Sequence, residues 1–253
     1  MGYIGQAPIR NAFTSPGLWT PNEVSNRLSL GLWEQNDPYW SYVKLLIQPS
    51  ATDSSITDKS SGAKAVTTST GALSGSSIFS GGASIANSGS GYACSLADDA
   101  GYDGFSDFVI EGFFVANASP AIIAEKAASS SEYGAWNVAV IGNKLRFGAS
   151  SSNTSEDIAA ASTSQSVYSG VTHYFAVSRS GSSGNVYLDG VRGATFSSGT
   201  TVYNGSSALY IGGHSNGTYL NGSILSLRIT KGTDRGYTGS TIPLPTGPWP
   251  THG

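Results

Sequence analysis

Charge is what this sequence has least of. Asp, Glu, Lys and Arg make up 11% of its 253 residues, against roughly 25% in an average globular domain, so Ser, Thr, Gly, Ala and Asn hold the surface positions that Lys and Glu usually occupy. With 13 Lys and Arg and a net charge of −3, no basic stripe exists to neutralise a phosphate backbone, which argues against nucleic acid as a partner. Cysteine is nearly absent too. The single Cys94 has no partner for an internal disulfide, and its alternating setting, GYACSLA, reads as a buried structural thiol rather than a nucleophile. Long apolar runs are missing: the longest, 108–116, is broken by Glu111 and falls short of the roughly 20 residues a membrane helix needs. The opening MGYIGQAPIRNAF has no apolar h-region, and Gln6 stands where a myristoylation pattern requires Ser or Thr. The expectation is a soluble chain made in a cytoplasm, in which the N-x-S/T sequons at Asn117, Asn153, Asn204, Asn216 and Asn221 are polar turn residues.

What is present is material for a β core. Hydrophobic residues are 39% and aromatics 11%, while the abundant Gly and β-branched residues disfavour helices. Residues 1–40 differ from the rest and hold three of the five tryptophans. Thr20-Pro21-Asn22-Glu23 is a capping box with Pro at the first helical position. Trp19 and Val24 are placed to staple that cap, and Gly31 stops a helix of about ten residues. A helix so short is marginal alone and must dock its Trp19, Val24 and Leu28 face. Tyr3, Phe13, Trp19, Val24, Leu28, Trp33 and Trp40 are therefore the expected attachment or oligomerisation surface of an N-terminal arm.

From residue 41 the period becomes two, and turns rich in Gly, Ser and Asn recur about every ten residues, the pattern of a sandwich or barrel. Strands are expected at 43–47, 63–69, 76–87, 91–97, 107–116, 121–127, 135–142, 144–150, 156–162, 172–180, 185–190, 208–213 and 223–232. Gly142-Asn143 predicts a tight hairpin needing positive φ, and 180–184 a second one. The span 41–232 thus reads as one all-β antiparallel sandwich of jelly-roll type. Four prolines in the closing stretch exclude a central strand there, so residues 233–253 are read as an extended Pro-rich strap.

The motifs DFVIEGFFV, THYFAVSRSGSSGNVYLDG, ALYIGG and GSILSLRITKG, in that order, resemble the laminin-G-like branch of the concanavalin A-like lectin/glucanase superfamily. The ending LRITKGTDRGYTGSTIPLP resembles the version carried by tailed-bacteriophage virion proteins, and YIGQAP and PGLWTPNEV resemble the N-terminal segments of such tail and appendage proteins. The resemblance implies a virion protein assembled in the bacterial host cytoplasm, a tail, appendage or head decoration component that contacts other virion proteins and forms a homo-oligomer, taken as a trimer. Superfamily lectins also hold calcium in loops and bind sugars.

Residues 213–217 match G-x-S-x-G, but the flanking ALYIGG and SILSLRIT are strands, whereas a nucleophile elbow needs a strand-to-helix turn; a β-turn is the reading. The glutamates are scattered, and the clustered E-x-D-x-x-E strand of glucanases is absent, which argues against glycan hydrolysis by paired carboxylates; Glu111 is read as a structural outward or rim residue, and His173 as a core or interstrand hydrogen-bonding histidine. Asp98, Asp99 and Asp103 sit with Asp107 in the loop ADDAGYDGFSD, whose oxygens could take calcium, but the spacing is not an EF-hand and no required Glu follows, so a solvated loop without a cofactor is the favoured reading and calcium the alternative. Tyrosines lie beside turns at 102, 133, 168, 203 and 219, and aromatic faces next to Asn or Asp suit sugar recognition; Tyr102, Asp103, Tyr133 and Tyr219 are the expected glycan-contacting set. The functional expectation is a non-enzymatic virion component that displays a lectin-like domain toward host-surface glycans, with a free carbohydrate-binding module as the alternative.

Overall fold

Alternating small polar and apolar residues form strands because successive side chains point to opposite faces of a sheet, one wet and one dry. The computed structural model describes residues 36–127, 134–214 and 217–253. After a 3-10 turn at Trp40–Tyr42, its strands are β1 (Val43–Ile47), β2 (Val66–Thr68), β3 (Ala72–Ser74), β4 (Ser84–Ser88), β5 (Cys94–Leu96), β6 (Phe108–Ala116), β7 (Ala121–Lys126) and β8 (Trp136–Ile141). They continue as β9 (Lys144–Ala149), β10 (Ala159–Ser162), β11 (Thr172–Ser180), β12 (Ser183–Leu188), β13 (Val191–Ser197), β14 (Leu209–Ile211) and β15 (Asn221–Lys231). No helix of the described residues is long and apolar enough to cross a membrane.

The strands make two antiparallel sheets. One runs β13-β12-β11-β6-β15-β4-β3, with β1 also paired to β15, and the other runs β10-β9-β8-β7-β14-β5-β2. Between them lies one apolar core that includes Phe108, Ile110, Phe114, Trp136, Phe147, Phe175, Leu209 and Leu227. The hairpins obey the turn chemistry of their residues: Gly142 and Asn143 both have φ of 59°, and Asp189 and Gly190 have φ of 51° and 77°, the left-handed pair that a two-residue turn between twisted strands demands. Gly213 and Tyr219 form an antiparallel bridge, and the His214 amide donates to the Thr218 carbonyl at 3.0 Å.

The first sheet is covered on its outer face as well. A second cluster there joins Val43, Leu46, Phe113, Tyr174, Tyr187 and Leu225 to Ile242 and Trp249 of the closing segment, so residues 233–253 lie as a strap across that face. Beneath it Glu111 is fully buried and accepts two hydrogen bonds from Arg228, at 2.9 and 2.7 Å. Tyr174 and Tyr237 donate to its other oxygen. Asp37, 3% exposed, closes the group with Arg228 at 3.0 Å and Arg235 at 2.8 Å. The indole of Trp249 lies 4.4 Å from the Arg228 guanidinium carbon, a cation–π contact in a dry site.

Several expectations change here. The division at residue 40 moves: Asp37 and Trp40 belong to the sandwich, because Arg228, Arg235 and the outer-face cluster hold them. Of the arm residues, Tyr3, Phe13, Trp19, Val24, Leu28 and Trp33 lie outside the described residues, as does the capped helix. The expected strand at 76–87 is confined to Ser84–Ser88, since Gly75, Gly81 and Gly82 interrupt what precedes it. β3 and β13 carry no apolar alternation and form because a neighbouring strand offers its hydrogen bonds, to β4 and β12 respectively.

Candidate functional site

Among the described residues no segment crosses the second sheet as the strap crosses the first, and the outer face of that sheet carries the polar and aromatic side chains. In register across it run Ser95, Tyr210, Glu125, Asn137 and Gly148, while Leu96, Leu209, Ile211, Ala124, Val138 and Phe147 from the same strands point into the core. Period two thus places one row of polar groups side by side on five adjacent strands.

Three tyrosines, all half-buried, gather at one end of the row. The rings of Tyr92 and Tyr210 meet edge to face at 5.0 Å, and Tyr210 meets His214 at 6.3 Å. Tyr219 crosses over Gly213, where a Cβ would stand 2.7 Å from its ring and 2.9 Å from the Tyr92 Cα; glycine is what lets the bridged segments lie so close. His214 Nδ1 is 2.7 Å from Glu125 Oε2, and both side chains are nearly buried. The other end of the row is ionic. Arg146 grips Glu156 through two guanidinium nitrogens, with the Nη1–Oε1 contact at 2.8 Å, and Asn137 donates to the same carboxylate at 3.3 Å. A Cβ on Gly148 would lie 2.1 Å from Glu156 Oε1, so this glycine makes the space in which the carboxylate lies against the sheet. The face therefore offers aromatic edges, an amide and two oriented carboxylates within one patch.

Of the expected sugar-contacting residues, Tyr219 alone is placed on this face. Tyr133 lies outside the described residues. Tyr102 and Asp103 are fully buried, which takes their side chains away from any surface ligand. Tyr102 sits under Trp136, whose Nε1 donates to its carbonyl at 2.6 Å, and burial pushes its phenol well above the ordinary tyrosine range. Asp103 is drawn inward by Lys126, an ammonium buried at the inner end of β7, at 2.9 Å.

That lysine also decides whether the acidic loop suits calcium. Its Nζ collects Asp98 Oδ1 at 2.7 Å, Asp103 Oδ2 at 2.9 Å and the carbonyls of Gly205 and Ser207 at 2.9 and 2.5 Å. Asp99 pairs instead with Lys64 and takes the Gly101 amide at 2.9 Å; Asp107 takes the Gly181 amide at 2.7 Å. Calcium wants six to eight oxygens around one point, and here the carboxylates are divided between two ammonium groups and backbone amides. Asp98, Asp99 and Asp103 as arranged do not fit the ion, and among the described residues no group of three or more His, Cys, Asp or Glu is gathered as a metal would require.

His173 is buried, with Nε2 accepting the Tyr168 amide at 3.0 Å and Nδ1 2.7 Å from Asp189, the interstrand role its position on the strand suggested. Cys94 is buried in the core, and burial pushes its thiol up to about 12. The residues that sequence reasoning missed are Tyr92, Glu125, Asn137, Arg146, Glu156, Tyr210 and His214. Their one sequence signal is the polar phase of strands whose other phase is apolar.

Comparison with known proteins adds the lineage. The family model described as the concanavalin A-like lectin/glucanases superfamily, of laminin-G type, matches residues 88–233. No curated protein sequence matches the chain. Among solved structures, domain 4 of the arabinanase AbnA from Geobacillus stearothermophilus, in complex with arabinotriose, has a TM-score of 0.56 at 15% identity over 75% of this chain and 92% of that one. The binding domain of Paraclostridial Mosquitocidal Protein 1 has a TM-score of 0.57 at 10% identity, covering 76% of this chain and 48% of that one. Trypanosoma rangeli sialidase in complex with sialic acid has 0.52 at 15% identity, covering 75% and 31%. The chain thus spans about half of the toxin domain and under a third of the sialidase, and at these identities the likeness is one of fold. With the family model matching more than half of its length and the two-sheet architecture in place, the chain belongs to the concanavalin A-like lectin/glucanase superfamily.

Proposed function

We propose that this chain is a non-enzymatic structural component of a tailed-phage virion whose sandwich binds glycans of the host surface. The observation that carries the glycan reading is the outer face of the second sheet, which no described segment crosses and where Tyr92, Tyr210 and Tyr219 stand beside Glu125, Asn137 and the Arg146–Glu156 pair. Sugars present C–H faces and hydroxyl rims, and aromatic rings next to fixed amides and carboxylates are their complement. The arabinanase domain of the same fold holds a trisaccharide, in keeping with this chemistry. Binding is favoured over hydrolysis because both carboxylates of the face are engaged, Glu156 by Arg146 and Glu125 by His214, whereas glycosidases set a proton-donating acid and a second carboxylate across an open scissile bond.

The virion part rests on the resemblance of the closing segment and the aromatic N-terminal segment to phage appendage proteins. The strap supports it in one respect. Asp37, Trp40 and His252 are fastened together on the outer face of the first sheet, the Asp37 amide donating to the His252 carbonyl at 3.0 Å. The first described residues are thus held to the closing segment, in keeping with an attachment role for what precedes them.

A glycan array probed with the full chain tests the first part. Selective binding that Tyr210→Ala abolishes supports it, and no binding to any glycan removes it. Incorporation of a chain lacking residues 1–35 into particles tests the second: the truncated sandwich should fold and stay off the particle, and normal incorporation would exclude the arm as the attachment element.

A further inference from the structure

The face just described leaves one aromatic feature elsewhere unexplained. Tyr168 is 65% exposed, more than any other large hydrophobic side chain among the described residues. An exposed ring on a turn usually moves freely, but this one is fixed. Its amide donates to His173 Nε2 at 3.0 Å, and its ring lies over the imidazole at 6.2 Å with the planes 25° apart. The acceptor role of Nε2 puts the imidazole proton on Nδ1, which faces Asp189 Oδ2 at 2.7 Å. The turn is tied at its other end too, since the Gly170 amide donates to the Ala116 carbonyl at 3.1 Å and the Ser169 hydroxyl to the Asn117 carbonyl at 2.9 Å.

Two polar groups are tied to this turn, Asp189 through His173 and Asn117 through Ser169. Asp189, on the β12–β13 turn, has a carboxylate 48% exposed. Each of its oxygens takes one internal hydrogen bond, Oδ1 from the Tyr174 amide at 2.9 Å and Oδ2 from His173, and a carboxylate oxygen has a second lone pair to offer. Asn117 is exposed at the end of β6, its Oδ1 3.9 Å from where a Cβ on Gly170 would stand and its Nδ2 3.3 Å from Asn221 Oδ1. Val171 and Val191, 47% and 46% exposed, continue the apolar surface on either side.

We propose that this rim is a second saccharide site, selective for neutral sugars, in which the Tyr168 ring stacks on a pyranose face while Asp189 and Asn117 take its hydroxyls. The inference rests on the glycan-binding reading of the domain and adds a site that is separate from the tyrosine row. A ring and a carboxylate already locked by His173 lose little freedom on binding, which is what allows a small exposed site to hold a sugar. The negative charge of Asp189, held by the His173 ring and the Tyr174 amide, sets the selectivity. Of the nearby cations in sequence, Lys144 is directed to the Ser164 carbonyl at 2.6 Å and the Ser166 hydroxyl at 3.1 Å, and Arg192 to Asn185 Oδ1 at 3.2 Å and the Thr238 carbonyl at 3.4 Å, so a carboxylated sugar would meet a carboxylate with these cations already engaged.

The test is binding of the full chain to an array of neutral and sialylated glycans, with Tyr168→Ala, Tyr168→Phe, Asp189→Asn and Tyr210→Ala compared after thermal melts confirm folding. Asn tolerates the left-handed backbone at position 189, so that variant keeps the turn. The expected result is a set of neutral glycans for which Tyr168→Ala weakens binding at least tenfold and Asp189→Asn several-fold while Tyr168→Phe retains it, a set that differs from the glycans weakened by Tyr210→Ala. Full binding by Tyr168→Ala alongside its loss in Tyr210→Ala overturns the second site and leaves the domain reading standing. No binding by the wild-type chain overturns both. Tighter binding of sialylated than of neutral glycans through Tyr168 overturns the selectivity, and a change in sedimenting mass on Tyr168→Ala without a change in glycan binding reassigns the rim to a contact between copies.

Discussion

The Nζ of Lys126 and the Oδ2 of Asp103 lie 2.9 Å apart in a place where neither side chain meets solvent. Together with Asp98 and two carbonyls, the ammonium fills an oxygen cage of the kind that hard cations occupy, and it does so from within the chain. The first prediction follows from this substitution. Chelators should leave the melting temperature of the wild-type protein unchanged. Lys126→Met should destabilise by about 3–5 kcal/mol, the usual cost of leaving one buried charge without its partner, and millimolar calcium should restore part of that loss by binding the freed carboxylates. Differential scanning calorimetry with and without calcium reads both; a wild-type melt that falls on chelation would show that the lysine does not stand in for the ion.

The Glu111–Arg228 pair makes a second prediction. Arg228 is shared by Glu111 and Asp37 and stacked by Trp249, so it joins the sheet, the segment before β1 and the strap in one buried group. Arg228→Met leaves two buried carboxylates with only Arg235 near them, and should cost about 3–5 kcal/mol. Trp249→Ala removes a stacking contact and apolar cover without stranding a charge. It should cost about 3 kcal/mol and should raise protease cleavage within 233–253 while the sandwich stays folded. A loss well under about 1 kcal/mol from Arg228→Met, which keeps most of the side-chain volume, would mean that the charges contribute nothing beyond packing.

How far the sequence disclosed this architecture depends on the range of each interaction. β6, β11 and β15 were legible because their apolar periods and flanking turns are local, and so was the Gly142-Asn143 hairpin, whose two left-handed residues announce themselves. His173 is buried and hydrogen-bonded as its strand position suggested, whereas Glu111, expected at an outward or rim position, is fully buried because a segment more than a hundred residues away covers its face. The outer row of the second sheet was not legible. Glu125 and His214 are 89 residues apart, and nothing near either one specifies the other; only the strand order β8-β7-β14 brings them together. The same holds for Gly148, one glycine among 33, whose reason is a carboxylate arriving from Glu156. Tyr102 and Asp103 misled because a loop of aspartates reads as solvated until a lysine on a distant strand is known to draw it in.

A third prediction concerns alkali. Burial, reinforced by the Glu111 charge, raises the phenols of Tyr174 and Tyr237, that of Tyr237 to about 12. Burial also raises Tyr102, and raises the Cys94 thiol to about 12. In each case the unfolded chain releases its proton at lower pH than the folded one, so the unfolded state binds fewer protons and stability falls as pH rises. The contribution is fully present below about pH 8.5 for the thiol and about pH 10 for the phenols, their unfolded values, and is lost as pH climbs toward 12. Urea melts from pH 7 to 11 should show a midpoint that declines above pH 9 and steepens above pH 10. Tyr237→Phe should flatten the upper part of that decline, and a midpoint constant to pH 11 would contradict the burial of these hydroxyls.

The last prediction separates recognition from architecture on the tyrosine face. Tyr210 packs edge to face with Tyr92 and lies beside His214, yet its ring is only half-buried, whereas its neighbours Leu209 and Ile211 are wholly inside the core. Truncating it should therefore cost little stability, about 1 kcal/mol, in the range of a lost aromatic pair, or roughly 2–4 °C in melting temperature for a domain of this size. Its effect on glycan binding should be far larger, because a stacking ring in a small site carries a disproportionate share of the affinity. Glu125→Gln keeps a hydrogen-bond acceptor toward His214 and removes the charge, so it should preserve the Gly213–Tyr219 bridge and change which sugars bind more than how tightly. Melting curves and array binding measured on the same preparations give the comparison. A Tyr210→Ala protein that melts much lower while binding glycans as well as the wild type would assign this face to folding and not to recognition.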